Sequence, residues 1–312
     1  MNPFVTRARR LTWACSLLAL ASVAQAQQAD RATPKPHYLK PMTTQNATLS
    51  AFFYQQPVLL DREQHKALRL QPGDARFSAS NQSVPLVAAE FPQACLEYPI
   101  VFSKGQGDRW LALALTGLTL GSNAFVNAQG QWNARYVPAS VRRYPFILAE
   151  GDKQQLSLAA DLAAPHLGAQ GEPLFDDKGE PTELARNVMS ALADFQQQAA
   201  NTHELLQQLD EAQVLSQQNL QVRLGDGQQA VVEGVWIVDE AKLRTLPADK
   251  VLAWFKTGQL AAIHAQMLSL RNLLPLLERS LATNPGAAGQ VGEAAPADQK
   301  TGQAVAPSAS AS

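Results

Sequence analysis

The chain has 312 residues, 46% of them hydrophobic and 17% charged, with 26 basic side chains against 27 acidic ones and a formal net charge of -1. This is ordinary globular composition in a chain long enough to bury a sizeable core. The balanced charge supplies no electrostatic basis for a nucleic-acid partner or for attachment to an anionic membrane surface.

The first segment carries Arg7, Arg9 and Arg10 and no acid, followed by the apolar run Leu11 to Ala24 and by Ala24-Gln25-Ala26. A basic start, a short apolar core and small residues at a cleavage position are the pattern of a secretory signal peptide. Residues 1–26 are therefore expected to be a signal peptide cleaved after Ala26, and the polar, proline-punctuated residues 27–37 a linker. No later stretch approaches the roughly 20 apolar residues of a membrane helix. This excludes a permease and predicts an exported, periplasmic protein with no membrane-spanning segment after cleavage. Of Cys15 and Cys95 only Cys95 remains in that form, so no intramolecular disulfide is available. Cys95 lies between apolar positions and reads as a buried, inert thiol.

The first half of the folded part, taken as residues 38–282, is β-rich. Short apolar or alternating runs at Phe52–Asp61, His65–Asp74, Leu96–Phe102, Arg109–Thr119, Asn123–Trp132 and Tyr144–Glu150 are separated by Gly-, Pro- and Asn-containing breaks. Asn123–Trp132 reads as a hairpin turning at Ala128-Gln129-Gly130, and Arg109–Thr119 as a central strand buried on both faces.

The period then changes. From Pro181 the apolar residues Leu184, Val188, Leu192 and Phe195, later Leu205 and Leu209, recur at helical steps, with Thr182 placed to cap the helix. Leu220–Leu243 reads as a β-hairpin about Gly225-Asp226-Gly227. Two helices follow over Ala248–Leu281, broken near Gly258 and bent at Pro275. Residues 283–312 are an Ala/Gly/Pro-rich tail too poor in apolar residues to order itself. The fold class that results is α+β, with a mostly antiparallel sheet in the N-terminal half and packed helices with one hairpin in the C-terminal half.

Several of these segments occur in a recognisable order. They are Glu97 to Phe102, Ala114 to Leu118, Asn123 to Val126, Gly130 to Trp132, Tyr136 to Ala139 and Arg142 to Phe146. Pro173 to Asp176, Gly179 to Pro181, and Leu260 to Ala265 with Leu268 to Leu270 follow. Over roughly residues 38–280 the chain resembles the SapC family of bacterial proteins. The resemblance implies a link to surface-layer protein export and peptide-related transport, and an envelope accessory role. It carries no catalytic set.

Catalytic and metal motifs are sparse. The histidines His37, His65, His166, His203 and His264 stand far apart, and neither HExxH nor CxxC occurs. No metal or cofactor is expected. His264 reads as a core or interface histidine, and Asp176, Asp177 and Glu180 as an acidic turn leading into the long helix.

The strongest candidate is Arg142-Arg143, set among Trp132, Tyr136, Tyr144 and Phe146. Arginine pairs bidentately with carboxylate or phosphate and stacks on aromatic rings. In an extended segment adjacent residues face opposite ways, so one arginine braces the interior and the other meets solvent or a ligand. Glu97 and Glu90, from another expected strand, are candidates to pair with the inward one. The partner-binding set is Arg142, Arg143, Tyr144, Trp132, Tyr136 and Glu97. The leading expectation is a non-catalytic envelope accessory protein that handles a peptide or protein client. A hydrolase or peptide/glycan-modifying enzyme using Glu97 or Glu90 with these arginines is the alternative, and a purely structural envelope protein is a third.

Overall fold

A computed structural model describes residues 53–105, 108–118, 121–150, 156–223 and 229–283. The expected signal peptide, the linker and the C-terminal tail lie outside the described residues, as does the Gly225-Asp226-Gly227 turn.

The fold is α+β with antiparallel sheets. The largest has five strands in the order β10-β11-β4-β5-β3, formed by β3 (Ser83–Leu86), β4 (Ile100–Lys104), β5 (Trp110–Leu115), β10 (Leu215–Arg223) and β11 (Gln229–Val238). A second sheet orders β1 (Pro57–Leu59), β7 (Leu156–Asp161) and β6 (Phe146–Glu150) as β1-β7-β6. Three two-residue strands, β2 (Arg69–Leu70), β8 (Leu167–Gly168) and β9 (Glu172–Pro173), make the third, in the order β8-β2-β9.

β4 and β5 pair in register, Ile100 opposite Ala114 and Phe102 opposite Ala112. The small alanines make room for the large β4 side chains, so Ile100, Val101 and Phe102 are buried. Trp110, Ala112, Ala114 and Leu115 of β5 are buried while Leu111 and Leu113 are half-buried, so this strand is interior to the sheet. Strands β3 and β7 were not anticipated. The expected hairpin over Asn123–Trp132 reduces to a single bridge, Val126 to Trp132. The Asn127 side chain, accepting from Gln129 N (3.1 Å) and Gln131 N (2.8 Å), holds a closed turn there instead of a ladder.

The strand expected at Leu96–Phe102 starts only at Ile100. Pro92 sits in the first turn of a short helix, α1 (Phe91–Ala94), which leaves Glu97 in the turn that follows. A second short helix is α2 (Ala139–Arg142).

The long helix α3 runs Glu183–Glu211, and Thr182 caps it by accepting from Ala185 N at 3.3 Å. Its Leu192 packs with Phe146, Leu148, Leu158 and Leu174 of the smaller core. Its Leu205, Leu206 and Leu209 enter the main core. After β11 come α4 (Glu240–Arg244), α5 (Ala248–Lys256), α6 (Gln259–Ser269) and α7 (Leu273–Thr283). The break at Gly258 is real, with φ at 77°, a left-handed value that glycine adopts without strain. The bend expected at Pro275 falls earlier, in a 3₁₀ turn at Leu270–Asn272. Pro275 instead occupies the first turn of α7, where a missing N–H costs no intrahelical bond.

Buried polar side chains of α6 and the 3₁₀ turn stand in for sheet hydrogen bonds. β11 pairs with β4 only through Trp236 and Phe102. Gln266, fully buried, accepts from Val238 N (3.2 Å) and donates to Ile100 O (3.0 Å), while Ser269 Oγ accepts from Ile100 N (2.8 Å). Asn272 donates to Cys95 O at 2.8 Å. Cys95 itself is buried, and burial pushes its thiol ionisation up. His264, read as a core or interface histidine, is exposed and its Nδ1 lies 2.7 Å from Leu260 O in the preceding turn.

Candidate functional site

The arginine pair does not lie in an extended segment. Pro138 is the N-cap of α2, which ends at Arg142, with Arg143 as its C-cap. The turn of the helix, not strand alternation, separates the two side chains. Arg142 is exposed, with its Nε donating to Val137 O at 3.0 Å and its guanidinium 5.9 Å from the Tyr136 ring centroid. Arg143 is half-buried. Its guanidinium lies 4.6 Å from the Phe195 ring centroid and 5.9 Å from that of Tyr54. Burial pulls its pKa down, opposed by the nearby Tyr54.

The two glutamates pair with neither arginine. Glu90 is buried at the end of a 3₁₀ turn, Ala88–Glu90. Its Oε2 accepts from Val87 N (2.9 Å), and its Oε1 accepts from Ala139 N (2.7 Å) and from the Tyr136 hydroxyl (2.7 Å). It therefore fixes the start of α2. Glu97 accepts from Arg135 N and Tyr136 N, both at 3.0 Å, and holds the strap that leads into α2. The expected glutamate–arginine brace is replaced by two carboxylate–backbone clamps, because three amide groups of this strap, those of Arg135, Tyr136 and Ala139, have no helix or sheet partner of their own.

The aromatic residues are tied in the same way. Trp132 Nε1 donates to the Tyr98 hydroxyl at 2.9 Å, and its ring stacks on Phe125 at 6.0 Å. Tyr98 in turn donates to Tyr136 O. Tyr144, buried, stacks on Phe77 at 3.8 Å and donates to Asp161 Oδ2 at 3.1 Å. Burial raises the phenol pKa of Tyr136, Tyr144 and Tyr98, and for the first two the bonded carboxylate raises it further. Asp161, fully buried, also accepts from Gln55 N and Gln56 N at 2.8 Å each.

Two cavities open beside Arg142 and share it and Tyr144 as lining. One, of about 480 Å³, lies between α2 and the N-terminal half of α3; Val87, Phe146, Val188, Leu192 and Phe195 give it apolar walls, and Arg143 and Glu90 lie in it. The other, of about 430 Å³, is lined by Phe77, Trp132, Val137, Val141, His166 and Asp74. His166 is buried edge-on to Tyr144 (5.2 Å) and Phe77 (5.8 Å), and burial lowers its pKa against the pull of Asp74. A Cβ at Gly73 would come within 1.9 Å of the His166 ring, so only glycine lets the two meet.

Arg142, Arg143, Tyr144 and Trp132 thus line the two cavities, while Tyr136, beside Arg142, and Glu97, on the strap, line neither of them. The helix wall of Val188, Leu192 and Phe195, and the group Phe77, His166 and Asp74, escape sequence reading, because they reach the site only through tertiary packing. The helical period of α3 marks its apolar face but not its neighbour. Among the described residues no group of His, Cys, Asp and Glu is arranged to hold a metal ion. No described helix is long and apolar enough to cross a membrane.

No curated protein and no solved structure matches this chain. The sequence profile of the SapC family matches residues 60–276, from just after β1 into α7. The chain belongs to the SapC family.

Proposed function

We propose that this SapC-family protein is an exported, non-catalytic binding protein of the cell envelope, periplasmic, that holds an extended peptide or protein client in the groove between α2 and α3. The observation that carries this reading is the cavity of about 480 Å³, with apolar walls from α3 and a cation, Arg142, at its mouth. Apolar side chains of a client fill such a groove, while a carboxylate or backbone carbonyl meets the guanidinium. The signal-like segment with Arg7, Arg9, Arg10 and Ala24-Gln25-Ala26 supports export. Family membership supports a client connected with surface-layer export or outer-membrane uptake.

The enzymatic alternative is less favoured by the geometry. A general acid or base must reach the atom it protonates, and the oxygens of Glu90 and Glu97 are engaged by backbone amides and Tyr136. The test is co-purification from envelope extracts with wild type and Ala191→Arg, which projects a long cation from the exposed α3 position that lines the groove. A client retained by wild type and lost from the variant is the expected result. Identical recoveries from the two would overturn the groove.

A further inference from the structure

The two cavities on either side of Arg142 differ in chemistry, and the difference specifies the end of a chain. The smaller is lined by three aromatic rings, Phe77, Trp132 and Tyr144, with Val137 and Val141 beside them. Its acid, Asp74, is already ion-paired with Arg76, so the cavity keeps the positive charge of Arg142 without a competing free carboxylate. Arg142 has no ion-pair partner among the described residues. With its Nε held by Val137 O, the fork is oriented before any ligand arrives.

We infer that the smaller cavity takes the aromatic side chain of a peptide's C-terminal residue, whose free carboxylate is clamped by Arg142 while the preceding residues lie in the larger groove. This rests on the groove reading above and names its ligand. The shared chemistry is an aryl group a few bonds from a carboxylate. A small aryl acid has the same chemistry, but it leaves the second cavity empty. Both volumes, about 430 and 480 Å³, lie in the range of small-ligand sites. Arg142 and Tyr144 line both, so one chain passing Arg142 reaches the two together.

Isothermal titration of the mature protein tests this with four probes. They are an acetylated apolar pentapeptide ending in free Phe, its C-terminal amide, the same peptide ending in free Ala, and acetyl-phenylalanine alone. The free Phe peptide should bind at least about tenfold tighter than its amide or the Ala-ended peptide, since a charge-assisted pair and a buried ring are each worth at least that factor. Arg142→Gln should remove the preference for the free acid while melting like wild type, because Arg142 is exposed. Equal affinity for acid and amide overturns the carboxylate clamp and leaves the groove standing. Equal affinity for the peptide and acetyl-phenylalanine assigns the cavity to small aryl acids and overturns the peptide assignment. Absence of binding by all four probes overturns the inference, whereas failure of the groove itself reads out separately, as client retention by Ala191→Arg.

Discussion

The Tyr136 hydroxyl donates to Glu90 Oε1 at 2.7 Å, and the same oxygen accepts from Ala139 N, the first residue of α2. One buried carboxylate thus fixes both the helix that carries Arg142 and the ring beneath it. Glu90→Ala strands three donors, Val87 N, Ala139 N and the Tyr136 hydroxyl. The expected cost is about 3–5 kcal/mol. In a domain of this size that lowers the melting midpoint by roughly 10 °C. Tyr136→Phe removes one of those bonds and should cost only about 1–2 kcal/mol. Melts of the two variants check the ranking, and equal losses would place the network's weight elsewhere.

The two arginines should separate cleanly. Arg143→Ala removes a half-buried side chain packed on Phe195 and Tyr54, and is expected to cost about 2 kcal/mol. Arg142→Ala, on an exposed side chain, should stay within about 0.5–1 kcal/mol of wild type. A thermal shift confined to Arg143→Ala is the predicted pattern.

Gln266→Ala leaves Val238 N and Ile100 O buried without the partner that joins β11 and β4. A loss of about 2–4 kcal/mol is expected in chemical denaturation. Gln266→Glu should also destabilise, because a carboxylate has no N–H for Ile100 O.

Stability should fall towards acid partly through His166. Burial holds its folded pKa below the ordinary 6.5, so the unfolded chain binds the proton more readily. Its stabilising contribution is complete above pH about 6.5 and is lost as the pH falls through the folded pKa. His166→Phe should flatten the decline in melting midpoint between pH 7 and 5. At the alkaline end the sign reverses. Burial pushes the Tyr54 phenol up to about 12, and Tyr98, Tyr136 and Tyr144 are raised as well. The unfolded chain therefore gives up these protons first, and stability is lost as the pH rises above about 10. Phenolate absorbance should appear together with unfolding and not before it.

What the sequence reveals follows from how local each cause is. The helix Glu183–Glu211, the break at Gly258 and the inner part of the hairpin are set by periodicity, capping and turn residues and are legible, whereas the hairpin read as Leu220–Leu243 in fact starts at Leu215 and gives way to α4 at Glu240. Strands β3 and β7 are not legible, because they acquire their state from the strands they pair with, β5 for Ser83–Leu86 and β1 and β6 for Leu156–Asp161. The cluster of Trp132, Tyr136, Arg142, Arg143 and Tyr144 was visible as a run of neighbours in the chain. The roles of Glu90 and Glu97 were not, since a carboxylate that clamps backbone amides looks in sequence like one that pairs with arginine. Phe195 and His166 join the site from other elements, and no local pattern announces that.

The most direct test of the groove is photo-crosslinking inside the cell, with p-benzoylphenylalanine placed at position 191 on the groove wall and, separately, at the exposed position 240 on α4. A binding groove between α2 and α3 predicts an adduct of one defined mass from position 191 and none from 240. Equal adducts at both positions, or none at 191, would contradict it.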